Sequence, residues 1–122
     1  MLEHLNIKNL VVVEELNIEF KFGMTVITGE TGAGKSILVQ ALNIVSGGRS
    51  DASLVRNGMA KAEITASFNI LSNIKLKLYL EDQDLENDNE CILRRVIASD
   101  GKSRSYVNGR KVPLSVLSDI GS

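Results

Sequence analysis

Between Leu16 and Lys21 apolar and polar residues alternate, Leu16, Ile18 and Phe20 against Asn17, Glu19 and Lys21, which is the period of a half-buried strand. An apolar first segment, Leu2, Leu5, Ile7 and Leu10 to Val13, precedes it. A short apolar run, Met24 to Ile27, follows a turn of Lys21, Phe22 and Gly23. So brief a link makes the flanking strands an antiparallel pair. From Ser36 to Ser46 the period changes: Ile37, Leu38, Ala41, Leu42, Ile44 and Val45 recur at helical spacing, and Gln40 and Asn43 stay polar. Gly47-Gly48 ends that helix as a left-handed cap.

Residues 49–61 form a polar loop with an Asn57-Gly58 turn. Ala62 to Ile70 alternates again, with Ile64, Ala66, Phe68 and Ile70 on one face of a strand. Asn73 to Leu80 predicts a short helix, and Glu81 to Glu90, with six acids and no base, a solvated loop. The last third is a meander: a strand over Ile92, Leu93, Val96 and Ile97, an Asp100-Gly101 turn, a strand from Ser103 to Val107, and an Asn108-Gly109 hairpin before Lys111-Val112. Pro113 opens a final helix through Leu117.

Chemistry enters at the junction of the third strand and first helix. Val26–Ser36 reads VITGETGAGKS, which places Gly29, Gly34, Lys35 and Ser36 in the G-x-x-x-x-G-K-[ST] register of a phosphate-binding loop. Gly29, Gly32 and Gly34 permit backbone conformations that turn successive N–H groups inward around a polyphosphate. A helix beginning near Gly34 adds unpaired N–H groups and the positive end of its dipole. Lys35 is then a mobile charge for the β- and γ-phosphates, and the Ser36 hydroxyl a ligand for Mg²⁺. The nucleotide site predicted here is Gly29, Glu30, Thr31, Gly32, Ala33, Gly34, Lys35 and Ser36. The competing reading is a glycine-rich strand-to-helix turn that binds nothing.

Two look-alikes carry less. Val45-Ser46-Gly47-Gly48-Arg49 imitates the signature sequence of ABC-type ATPases, but it closes a helix where the signature opens one. Leu78-Tyr79-Leu80-Glu81-Asp82 imitates the acidic strand end of a Walker B motif, but its apolar run is short and interrupted by Lys77.

With 122 residues there is room for one domain, and 43% hydrophobic against 24% charged residues is ordinary for a folded globular chain. A formal charge of −1 excludes a globally basic nucleic-acid binder. It leaves open a local patch: Arg94, Arg95, Lys102, Arg104, Arg110 and Lys111 face one acid, Asp100, in the meander. Those bases either contact nucleic-acid phosphates or line the solvent face of a sheet. The single cysteine, Cys91, suits a packed core position in a reducing compartment, and His4 a surface position. No apolar run reaches membrane-spanning length, so a cytoplasmic protein is expected.

Three stretches together, LEHLNIKNLVVVEELNIEF, GMTVITGETGAGKSILVQALNIVSGGR and LRRVIASDGKSRSYVNGRKVPLSVLSDIG, resemble the N-terminal head segment of the RecN family of bacterial DNA repair proteins, relatives of the SMC ATPases. The resemblance implies an α/β fold: the N-terminal half of an ABC/SMC-type P-loop ATPase head, with mixed and antiparallel strands around a phosphate-loop helix. Residues 1–122 would be a single partial domain, its C-terminal half and coiled coil lying elsewhere in a longer polypeptide. ATP and Mg²⁺ are the implied cofactors. The implied partners are the other half of the head, a second head and DNA, with no membrane and a nucleoid-associated location in the cytoplasm. Arg49 and Arg56 become candidates for phosphate or DNA contact, and Lys8 and Asn9 for positions near the base. The signature and the Walker B Asp-Glu pair would come from the other half, so the segment alone is expected to bind nucleotide weakly and hydrolyse almost none. The alternatives are a self-contained small P-loop NTPase or kinase, and a non-enzymatic DNA- or partner-binding module.

Overall fold

The computed structural model describes residues 1–21, 24–27 and 31–121, with positions 21, 24–27 and 31–35 described as backbone only. Among the described residues seven strands form one sheet: β1 (Leu2–Leu10), β2 (Val13–Lys21), β3 (Met24–Ile27), β4 (Lys61–Asn69), β5 (Glu90–Ala98), β6 (Ser103–Val107) and β7 (Arg110–Val112). Their spatial order is β3-β2-β1-β4-β5-β6-β7, and each described pairing is antiparallel. Two meanders are therefore joined edge to edge. The seam is β1 against β4, where Leu5 opposes Ala66 and Ile7 opposes Ile64.

The alternation seen in the sequence sorts the sheet into two faces. Leu5, Ile7, Ile18, Ala62, Ile64, Ala66, Leu93 and Ile97 are buried on one of them. Helix α1 (Thr31–Val45) covers that face through Ile37, Ala41, Ile44 and Val45, joined by Leu117 of α3 (Leu114–Gly121). The opposite face carries Glu15, Asn17, Asn6, Lys8, Glu63, Thr65, Arg94 and Tyr106 at registers facing one another across the strands.

Helix α1 begins at Thr31, three residues before the expected start near Gly34. Its other end matches expectation: Gly47 has φ +98°, its N–H donates to Ile44 O at 3.1 Å, and that of Gly48 donates to Asn43 O at 2.9 Å. This is the paired-bond cap that a left-handed glycine permits. It also settles the signature look-alike as a helix end.

Helix α2 (Ile74–Asp82) is capped by the Asn73 side chain, which accepts from the Leu76 N–H at 3.1 Å. It absorbs Leu78 to Asp82, so that segment is no Walker B strand. The acidic segment is solvated as expected, its six acids all exposed, with one apolar anchor. Leu85 is buried, and its N–H donates to Leu80 O at 2.8 Å, pinning the loop beneath α2. The final helix runs four residues past Leu117, to Gly121.

Candidate functional site

β3 and α1 flank the segment predicted for phosphate binding. Gly29 and Glu30 lie outside the described residues. Thr31, Gly32, Ala33, Gly34 and Lys35 make up the first five positions of α1, and Ser36 follows with its residue exposed to solvent. Helix geometry leaves the first four N–H groups of α1 without intrahelical acceptors, and no acidic residue occupies the first turn to neutralise that end. A Gly-Lys-Ser run at such an end is chemically suited to a polyphosphate and its metal ion.

Strand polarity brings further residues to the same end of the sheet. β3 and β1 are both antiparallel to β2, so the chain leaves β3 at the end where β1 turns into β2. Asn9 and Val11, on either side of Leu10 at that turn, have φ of +53° and +54°. For a β-branched residue such as Val11 this conformation is strained. The surroundings hold it: the Val11 N–H donates to Leu54 O at 2.7 Å, the Arg56 N–H to Asn9 O at 2.8 Å, and Leu10 bridges Val55. Asn9 and Arg56 are thus adjacent, joined through the loop that contains the short 3₁₀ turn Ala52–Leu54.

The other two candidates sit apart from this junction. Lys8 occupies the polar face, opposite Glu15 on β2 and Glu63 on β4, away from α1. Arg49 is exposed just past the C-terminal cap of α1, at the helix end remote from the phosphate loop.

The basic meander divides into unequal parts. Arg94, Lys102, Arg104 and Lys111, with Lys61 from β4, line an open concavity of about 550 Å³ on the polar face, around Tyr106 and Val96. Arg94 Nη2 lies 2.6 Å from Glu63 Oε2, and its guanidinium sits 4.7 Å from the centre of the Tyr106 ring. Asp100 turns inward on its own loop, where Oδ1 accepts from the Lys102 N–H at 2.9 Å. Arg110 opposes core-facing Val107 and so belongs to the other side of the sheet.

Arg95 corrects the expectation of a solvent-facing base, because it is only 2% exposed. Nη1 donates to Ile44 O at 2.8 Å and to Gly48 O, and Nη2 donates to Ser50 Oγ at 2.9 Å and Ser103 Oγ at 3.4 Å. Burial lowers its pKa from the ordinary arginine value. A signal was present in the sequence: Arg95 shares the parity of Leu93 and Ile97, the core-facing residues of β5.

Comparison with known proteins agrees with this geometry. The sequence profile of the AAA domain family matches residues 4–117. The DNA repair protein RecN of Vibrio cholerae is 50% identical over 121 residues, which are 99% of this chain and 22% of that protein. RecN of Xylella fastidiosa strain 9a5c is 47% identical over 122 residues, all of this chain and 22% of that one. The chain therefore spans about a fifth of the length of the curated relatives it matches. A solved chain from work on the ATP-driven dimerization and DNA-stimulated activation of SMC ATPases superimposes with a TM-score of 0.74 at 28% identity, covering 98% of this chain and 76% of that one. The architecture is that of the N-terminal half of an ABC/SMC-type ATPase head. The chain belongs to the AAA domain family and is similar along its length to the RecN DNA repair proteins.

Proposed function

We propose that the chain is the ATP-binding half of a RecN-like head serving DNA double-strand-break repair, with the rest of the head supplied by another segment of a longer polypeptide. The observation that carries this reading is the Gly-Lys-Ser sequence at the junction of β3 and the N-terminal turn of α1. The first N–H groups of α1, which lack intrahelical acceptors, and Lys35 bind the phosphates, and Ser36 would ligate the metal ion. Mg²⁺ held there by the Ser36 hydroxyl would supply neutralising charge to the phosphates. Asn9 and Arg56, at the same end of the sheet, are our candidates for contacts to the remainder of the nucleotide.

Two further features support an incomplete head. β3 has four residues and ends the described sheet, pairing with β2 alone among the described strands, and an unpaired edge calls for another strand. Val39 of α1 is 59% exposed on the side turned from the sheet. A second layer there would bring the signature and the Walker B carboxylates, without which the attacking water is not oriented. ATP then joins two heads.

The concavity around Lys61, Arg104 and Lys111 favours a second contact, with the phosphates of duplex DNA. Its bases lie on the polar face, clear of α1, so both ligands fit one chain at once.

Titration of ATP and Mg²⁺ into the chain, with Lys35→Ala as control, tests the nucleotide reading. Micromolar binding that the substitution abolishes, without multiple-turnover hydrolysis, is the expected result. Equal binding by both proteins, or steady turnover by the chain alone, overturns it.

A further inference from the structure

Among the described residues, Arg95 is a buried cation whose hydrogen bonds all run to neutral oxygens, and its Nε has no partner. Burying a charge without a counter-ion is costly, so its acceptors must answer for it. They are well chosen. Ile44 O lies in the last turn of α1, at the negative end of the helix dipole, where it accepts from Arg95 as well as from the Gly47 cap N–H. Helix α1 has no base of its own in that turn. β5 supplies one from the layer beneath.

The same guanidinium reaches forward along the chain. Gly48 O and Ser50 Oγ open the loop that continues through Ala52–Leu54 to Arg56, whose N–H donates to Asn9 O. Ser103 Oγ fixes the start of β6 to the same point. One side chain therefore ties together the end of the phosphate-loop helix, the start of the loop bearing Arg56, and the sheet.

There is little slack in this joint. A Cβ on Gly48 would stand 2.6 Å from Asn43 O, and one on Gly47 2.9 Å from the Ser118 backbone nitrogen. The cap is thus closely packed against α3 and against its own last turn.

We infer that Arg95 is a positioning residue for the nucleotide site, holding α1 and the 49–56 loop in one register on the sheet so that the N-terminal turn of α1 and the Asn9–Arg56 junction keep a constant relation. The inference rests on the nucleotide reading above, but its structural half can be measured without nucleotide. A residue needed only for packing would be replaceable by an apolar side chain of similar length, since exchanging a buried ion for a hydrophobe is often neutral for stability.

The test compares the chain with its Arg95→Met, Arg95→Lys and Ser103→Ala variants, measuring thermal midpoint, amide hydrogen exchange at Arg56 and Val11, and affinity for ATP with Mg²⁺. Arg95→Met is expected to raise exchange at both amides at least tenfold and to weaken ATP binding five- to twentyfold. Arg95→Lys recovers part of each, and Ser103→Ala shows a smaller change in the same direction. Wild-type exchange and wild-type affinity in Arg95→Met, whatever its melting temperature, overturn the inference. Should Arg95→Met fail to fold, Arg95→Lys and Ser103→Ala decide by the same two readouts, unchanged values counting against. If the wild-type chain binds no ATP, the nucleotide reading fails and the positioning role falls with it. Exchange at Arg56 still reports whether Arg95 holds the loop.

Discussion

Arg94 and Arg95 are consecutive on β5 and serve opposite faces of the sheet. Arg94 pairs with Glu63 at 2.6 Å beside the basic concavity, while Arg95 lies 2% exposed beneath α1, donating to Ile44 O at 2.8 Å. The period of a strand makes this division, because neighbouring side chains leave on opposite sides. Two chemically identical residues thereby acquire different electrostatics: one is solvated and salt-bridged, the other desolvated and answered by a helix end.

The Arg94–Glu63 pair should matter little for stability. Both side chains retain water contact, at 38% and 20% exposure, and such pairs contribute less than about 1 kcal/mol. Glu63→Gln should lower the denaturant midpoint only slightly, and high salt should narrow the difference from wild type.

Gly47→Ala should be costly. The substitution forces a Cβ into a backbone with φ +98° and to within 2.9 Å of the Ser118 nitrogen, so both the cap of α1 and the seat of α3 are strained. A loss of about 2–4 kcal/mol is expected by chemical denaturation. Gly58→Ala makes the comparison: that glycine, also at positive φ, has open space around it and should lose only about 1 kcal/mol.

Asn108 does more than turn a hairpin. Its Oδ1 accepts from the Ile92 N–H at 2.8 Å, and its Nδ2 donates to Leu85 O at 2.7 Å, binding the β6–β7 turn to β5 and to the acidic loop. Asn108→Gly keeps the left-handed backbone and removes both bonds. We expect about 2 kcal/mol of destabilisation, with protease sensitivity rising between Leu80 and Glu90.

For the polar face, Arg104→Glu with Lys111→Glu should weaken binding of duplex DNA. The dependence of log affinity on log salt should become shallower by about one unit for each phosphate that the variant no longer neutralises. The same changes should leave ATP affinity intact, as both residues project away from α1. An unchanged salt slope would remove this face from consideration.

Burial pushes the Cys91 thiol up to about 11, from an ordinary value of 9.0. An unfolded chain loses this proton first, near pH 9, while the folded chain holds it to about pH 11. Stability contributed at neutral pH is therefore lost as pH rises through that window, by roughly 2–3 kcal/mol at most. Cys91→Ala should flatten the alkaline limb of a stability–pH curve. At pH 8 the native thiol should resist alkylation until denaturant is added.

Local features were legible because their causes are local. The alternation from Ala62 to Ile70 predicts β4, Asn108-Gly109 supplies the two positive-φ residues of a tight hairpin, and Gly47-Gly48 supplies the left-handed cap. The acidic stretch is solvated as its composition predicts, with all six acids exposed and Leu85 alone turned inward. The six bases of the meander misled, since net charge along a segment is blind to which face each residue takes.

The sequence by itself determined the elements, the phosphate-loop register and the hairpin connections, since propensity, turn chemistry and hydrophobic period act over a few residues. Only the tertiary structure decided the seam of β1 with β4, the approach of Arg56 to Asn9, and the docking of Arg95 on the end of α1. Those contacts join residues 47 to 66 positions apart, as with Arg56 and Asn9 or Leu2 and Phe68. Their free energy comes from burial and hydrogen bonds that exist only once the layers have closed.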